Sequence, residues 1–251
     1  FSSRRRHTRY PLVTGVQTCA LPISVVSIGT SGTAYTVSSV ATGDSSGAVA
    51  GFADASGGFL PLVCTLNAGK VLDATARLLG VSMADFDALA ATAESGSRGL
   101  ALLPYFDGER TPNLPHASGW ISGMRSDVSR ADLARAAIEG VVCSLLDALD
   151  ELRRHAPVDR VVLTGGGARS RTLCEVFAGL CDAPVATVEA DEAVATGAAV
   201  QAAVVADGAT HAAVADRWGL GLYSPVEAPR GSAGIRDRYA ELRQAATAAH
   251  P

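Results

Sequence analysis

The chain has 251 residues, of which 48% are apolar, 18% charged and 5% aromatic, with 26 glycines and a net charge of −4. That length holds one or two domains with a real core, and the balance excludes a disordered, collagen-like or coiled-coil chain. The negative charge argues against a nucleic-acid partner, and no apolar run approaches the ~18 residues that a membrane span needs.

The cysteines Cys19, Cys64, Cys143, Cys174 and Cys181 are odd in number and form no CxxC pair. Reduced thiols and a cytoplasmic location follow as the expectation. The histidines His7, His116, His155, His211 and His250 are scattered, which gives no basis for a metal cage.

Residues 1–23 stand apart: they carry Arg4, Arg5, Arg6, Arg9 and no acid, against 17 basic and 25 acidic residues in the remainder. Thr14, Gly15, Gln17 and Thr18 interrupt the apolar stretch that a signal peptide requires. The string RRRHTRY…LVTGVQTCALPI resembles translated sequencing-adapter read-through; the alternative is a genuine basic arm. The segment is set aside, with native upstream sequence expected to be missing and a single native domain expected over 24–251.

From there the elements follow in order. Val25 to Ile28 and Ala34 to Val40 read as strands joined through Gly29, Thr30, Ser31 and Gly32, and Val49–Ala53 with Phe59–Val63 as a second hairpin. Asn67 is expected to cap a helix reaching Leu79, closed by Gly80, and a short helix follows from Met83 to Ala93. Leu100–Phe106 leads into an irregular loop, Asp107–Gly119, with two prolines. Ile138, Val141, Val142, Leu145, Leu149 and Leu152 fall on one face of a long helix opened by Ser129 and Asp132 in capping-box style.

A βαβα pattern closes the chain: strand Arg160–Thr164, the turn Gly165-Gly166-Gly167, a helix from Ser170 to about Asp182, strand Val185–Val188, and a helix from Ala193 to Ala206 ended by Gly208. Alternating strands and helices imply parallel pairing and a sheet covered on both faces, and the early hairpins make that sheet mixed.

Two glycine-rich turns follow apolar strands. In Ile28-Gly29-Thr30-Ser31-Gly32, missing Cβ atoms let backbone N–H groups approach an anion, and the hydroxyls of Thr30 and Ser31 can donate to phosphate oxygens; ordinary hairpin chemistry explains the same residues. Gly165-Gly166-Gly167-Ala168 precedes a helix N-terminus, where phosphate or a nucleotide is favoured; a close packing turn is the alternative. Several motifs are absent. Gly69-Lys70 is followed by Val71 and is no Walker A loop, the second turn lacks GxGxxG spacing, and no GxSxG elbow exists. Asp191 and Glu192 read as solvated loop charges rather than acid and base.

Gly119-Trp120-Ile121-Ser122-Gly123-Met124, then seven residues, Asp132-Leu133, two residues, and Ala136-Ala137-Ile138-Glu139 resembles the C-terminal signature of the FGGY carbohydrate kinase family at every position. The SIGTSG run resembles the family's second phosphate loop, Gly108-Glu109-Arg110-Thr111-Pro112 its GERTP segment, and Gly165–Ser170 its adenosine loop. The resemblance, from about Val25 to Tyr223, implies an α/β domain of RNase H-like type (the actin, hexokinase and Hsp70 group), with a mixed sheet flanked by helices.

It further implies ATP and Mg2+ as cofactors and D-xylulose as the acceptor sugar. Gly29, Thr30 and Ser31 are implied to approach the ATP phosphates, Gly166, Gly167 and Ala168 the adenosine, and Gly69 and Asp73 to face the nucleotide. Arg171 occupies a place where some relatives carry an adenine-contacting Asn, and the small residues Val194–Ala199 are implied to pack under the nucleotide. Glu109 and Arg110 are expected to form an ion pair holding their loop. Leucine at Gly167 is expected to block the adenosine approach.

The family's proton-accepting Asp, in a Gly-Asp-Asn/Gln segment before the SIGTSG strand, and an earlier Asp near Mg2+ find no counterpart here. The expectation is therefore a nucleotide-binding half that binds ATP or ADP, meets sugar only together with an N-terminal domain, and is inactive alone. The alternatives are a non-catalytic actin-like nucleotide-binding module and a Rossmann-type oxidoreductase domain.

Overall fold

A strand flanked on both sides must be apolar on both faces, and β1 (Ile23–Ile28) is buried almost throughout. The computed structural model describes residues 23–55, 57–188, 193–229 and 234–249; Cys19, His7, His250, the Asp191-Glu192 pair and residues 1–22 lie outside them. β1 pairs antiparallel with β2 (Gly32–Thr36), which pairs with β4 (Phe59–Thr65), and β4 in turn with β3 (Ala50–Ala53). On its other side β1 pairs in parallel with β7 (Arg160–Thr164), followed by β8 (Val185–Val188) and the antiparallel β9 (Tyr223–Pro225). The sheet order is therefore β3-β4-β2-β1-β7-β8-β9, mixed as the early hairpins and the later βαβα pattern require.

Helices α1 (Gly69–Leu79), α2 (Met83–Ala91), α3 (Arg130–Arg153) and α4 (Arg171–Leu180) build the core on one face with Val26, Ile28, Ala34, Val63, Val161 and Leu163. The opposite face presents Val25, Tyr35, Leu60, Leu62 and Val162, with Ala193 at the start of α5 (Ala193–Asp207) packed against it. α3 is the central pillar. Ser129 accepts from the Asp132 N–H and Asp132 from the Ser129 N–H, completing the capping box, and Val141, Leu145, Leu149 and Leu152 are fully buried. Truncating any of these leucines to alanine is expected to cost about 2–5 kcal/mol.

A separate ribbon of β5 (Ala101–Leu103) and β6 (Trp120–Ser122) lies beyond α3. α6 (His211–Arg217) follows α5, and α7 (Ile235–Ala249) lays Ile235, Tyr239, Leu242 and Ala246 against Leu103, Tyr105 and Cys143. Arg236 bridges Asp147 and Asp150 on α3 at 2.8 Å each, and Arg243 also pairs with Asp147. β6, α6, β9 and α7 are too short or too weakly periodic for the sequence to announce.

Two local expectations are corrected. β2 stops at Thr36 rather than Val40, because the Ser38 hydroxyl accepts from the Val40 N–H and donates to its carbonyl, both at 3.0 Å, turning the chain. Asn67 does not cap α1: the cap position is Ala68, with no side-chain bond. Asn67 instead donates its amide to the Gly108 carbonyl at 2.6 Å and to Glu109 Oε2 at 2.9 Å. The described cysteines, Cys64, Cys143, Cys174 and Cys181, are free thiols. No single helix among the described residues is long and apolar enough to cross a membrane.

Candidate functional site

The first turn leaves the sheet between Ile28 and Gly32, which face each other in the β1–β2 register. It is bolted to the start of α1. Gly69 N–H donates to the Gly29 carbonyl at 2.8 Å, and the N–H groups of Ala68 and Lys70 donate to the Thr30 carbonyl at 3.3 and 3.2 Å. These bonds satisfy the first donors of α1, so the helix needs no side-chain cap and has spent those donors on the turn. Residue 69 must be glycine: a Cβ there would lie 2.6 Å from the Gly29 carbonyl oxygen.

Gly29 N–H is not turned outward; it donates to the Ser31 carbonyl at 3.0 Å. The donors open to an anion are the N–H and hydroxyl groups of Thr30 and Ser31, which are exposed and unpartnered among the described residues. The contribution of Gly29 is room and shape.

The second turn departs from β7, which runs parallel to β1, so both turns sit at the same end of the sheet. Gly165 has φ +86°, open to glycine at little cost, and its Cβ would lie 2.8 Å from the Ile28 carbonyl oxygen. Residues Gly166–Arg169 make a 3-10 turn, and Ser170 caps α4 by accepting from Leu173 N–H at 3.0 Å. Gly167 presses on β1: a Cβ would fall 2.3 Å from Ile28 Cγ2. A leucine there would therefore force the turn off the sheet rather than fill the nucleotide approach. At Gly166 a Cβ would meet nothing within 4 Å.

A cavity of about 620 Å3 lies between the turns, in the size range of small-molecule and cofactor sites. Gly29, Thr30, Gly69, Asp73, Gly166 and Gly167 all line it, so most of the candidate residues meet in one place. Ser31 stands beside Thr30 on the exposed turn but outside the lining. Ala168 turns inward to the core, and its carbonyl accepts from Cys174 Sγ at 3.3 Å. Arg171 is also outside the lining; its Nε pairs with Glu175 Oε1 at 2.7 Å on the α4 surface. Helix α5 contributes no described residue to the lining of this cavity, and its first residue packs on the opposite sheet face.

The sequence reading missed the wall that α2 supplies, Met83, Phe86 and Asp87, together with Leu72, Ile138, Arg169 and Ser170. Apolar residues at helical spacing read as core, and an Asp in mid-helix gives no signal. Asp87 Oδ1 accepts the Ser170 hydroxyl, and the Asp87 carbonyl accepts the Thr172 hydroxyl at 3.2 Å, tying α2 to α4 across the rim.

Beside the first turn, Glu109 is buried at 1% exposure. Its carboxylate accepts from Leu66 N–H at 2.6 Å, Arg110 N–H at 2.7 Å and the Asn67 amide at 2.9 Å. It holds its loop as expected, but through these donors and not through the Arg110 guanidinium. Lys70 pairs with Asp107 at 3.0 Å on the same loop. No group of three or more metal-ligating side chains occurs among the described residues.

The family described as the FGGY family of carbohydrate kinases, C-terminal domain, matches residues 24–206. The chain belongs to this family. Xylulose kinase of Streptomyces coelicolor is 48% identical over 199 residues, covering 78% of this chain and 40% of that protein. Xylulose kinase of Streptomyces rubiginosus is 44% identical over 218 residues, covering 86% and 44%. The crystal structure of xylulose kinase from Bifidobacterium adolescentis superposes with a TM-score of 0.78 at 38% identity, over 92% of this chain and 45% of that one. The chain thus spans less than half the length of these two curated relatives. Its α/β fold, a mixed sheet flanked by helices, is the one these sugar kinases share.

Several residues in and beside the family's signature hold the fold together. A Cβ on Gly123 would lie 2.3 Å from the Gly99 carbonyl oxygen, and one on Gly140, just past the signature, 2.1 Å from that of Leu102. Glu139 accepts from Gly96 N–H at 2.8 Å, Arg135 Nε at 2.9 Å and the Ser97 hydroxyl at 3.1 Å. They seat α3 against the segment leading into the β5–β6 ribbon, while Ile138 of the same signature lines the cavity.

Proposed function

We propose that this chain supplies the nucleotide-binding half of an ATP-dependent sugar kinase whose acceptor is D-xylulose, giving xylulose 5-phosphate. The observation that carries the reading is the meeting of two glycine turns, far apart in sequence, on one cavity. The kinship with xylulose kinases at 48% and 44% identity supports the choice of sugar.

In this reading Thr30 and Ser31 bind the phosphates with N–H and hydroxyl donors, and no Cβ on Gly29 obstructs them. Asp73, one turn along α1 from Gly69, accepts from the ribose hydroxyls. Gly166 leaves its side of the cavity flat enough for a purine. Mg2+ carried mainly by phosphate oxygens and water needs no dedicated protein cage, and the Thr30 hydroxyl oxygen at the phosphate end of the cavity would serve as a protein ligand. The ion supplies charge neutralisation on the phosphates. The chain contributes positioning and electrostatic complementarity, and with no Gly-Asp-Asn/Gln segment before the SIGTSG strand in this sequence, a coupled assay with ATP and D-xylulose is expected to give no turnover from this chain alone. A cytoplasmic location accords with these substrates.

The test is a calorimetric titration of the full chain with ADP and ATP in the presence of Mg2+. Saturable binding is expected, with its loss in Gly166→Leu, whose side chain enters the cavity from a position where its Cβ meets nothing. Absence of saturable binding, or unchanged binding in Gly166→Leu, would overturn the reading. Preference for NAD over ATP would favour an oxidoreductase domain instead.

A further inference from the structure

The cavity has two chemically different ends. At the Thr30 end the groups turned outward are donors: the N–H and hydroxyl groups of the β1–β2 turn. At the other end stands Asp87 on α2. Asp87 is bonded to Ser170 at the end of the second turn, whereas Asp73 follows Gly69 beside the first, so a nucleotide with its phosphates on Thr30 and its base against the second turn brings that base to Asp87.

Asp87 is held in place from two sides. Its Oδ1 accepts the Ser170 hydroxyl, and its main-chain carbonyl accepts the Thr172 hydroxyl at 3.2 Å. That leaves Oδ2 with no hydrogen-bond partner among the described residues, on a residue that lines the cavity. Beside it the lining is apolar at Met83, Phe86 and Ile138 and backbone at Gly166 and Gly167, with Arg169 and Ser170 completing that end. A slot with apolar walls and a carboxylate fixed at its second-turn end suits a flat heterocycle that carries an N–H donor on its edge.

We infer that Asp87 Oδ2 accepts the exocyclic amine of adenine and so makes the site selective for adenine over guanine and hypoxanthine nucleotides. Those two bases present a carbonyl oxygen where adenine presents the N6 amine, and an oxygen facing a carboxylate is left unpaired and repelled. This inference rests on the nucleotide reading above and adds to it the choice of base.

Titrations of the full chain with ATP, ITP and GTP in Mg2+ test it. The wild-type chain is expected to bind ATP at least about tenfold more tightly than ITP or GTP, the scale of one hydrogen bond to a charged acceptor. In Asp87→Asn the Oδ1 acceptor for Ser170 survives while an NH2 donor replaces Oδ2, so the ATP preference is expected to collapse to parity or reverse towards ITP. Equal wild-type affinity for ATP and ITP, or a wild-type ratio retained in Asp87→Asn, would overturn the inference while leaving the nucleotide site intact. Failure to bind any nucleotide would overturn both. The wild-type comparison keeps the inference open to refutation even if the variant fails to fold.

Discussion

Gly140→Ala sets two effects of opposite sign against each other inside α3. Alanine in a helix interior is favoured over glycine by about 1 kcal/mol, so helix propensity alone predicts stabilisation. The structure opposes it: the new Cβ would lie 2.1 Å from the Leu102 carbonyl oxygen and 3.1 Å from its carbon. Backbone cannot rotate out of the way as a side chain can. Relief requires α3 and β5 to separate by roughly 1 Å, a gap that forfeits a quarter to a half of the dispersion energy across the contact, and overpacking of a tight core costs typically about 1–3 kcal/mol, occasionally more. The Glu139 bonds to Gly96 and Ser97 lie beside the same contact and would lengthen with it. Set against the propensity gain, the net expectation is a loss of up to about 2 kcal/mol, read as a lower urea midpoint at unchanged slope. A variant as stable as the wild type, or more so, would refute the argument that this glycine exists for close approach.

Glu109→Ala is expected to destabilise the chain by about 2–4 kcal/mol in the same assay, because it strands the Leu66 and Arg110 N–H groups and the Asn67 amide; a change under 0.5 kcal/mol would show that water replaces the carboxylate freely. Asp132 is held below the ordinary carboxylate value of 3.8 by the Ser129 side chain and N–H. A lowered folded-state pKa contributes stability above the unfolded value and loses it as pH falls through the folded one. Asp132→Asn is therefore expected to lower Tm at pH 7 and to converge with the wild type in acid below about pH 4; an undiminished difference there would contradict the assignment.

Much of the architecture could be read from the chain because local and tertiary demands agree. β1 and β7 announce themselves as apolar runs ended by glycine, and α3 by a capping box followed by an uninterrupted apolar stripe. Asn67 misleads because a residue type suited to capping serves another purpose. The turn carbonyls of Gly29 and Thr30 satisfy the first N–H groups of α1, freeing Asn67 to anchor the 107–119 loop. At the site, the glycine turns are legible because a missing Cβ is a sequence fact. The α2 wall is not, since Phe86 and Asp87 acquire their roles only when α2 is laid beside α4. The same distinction separates Gly166 from Gly167: adjacent and identical in the chain, one faces open space and the other Ile28.

The account stands on the two turns, at Gly29–Gly32 and Gly165–Ser170, serving one nucleotide. Hydrogen–deuterium exchange of the full chain with and without saturating ADP tests this directly. Slowed exchange in both segments at the same ADP concentration, with the β5–β6 ribbon unchanged, is the predicted result; protection of one turn without the other, or of neither, would contradict it.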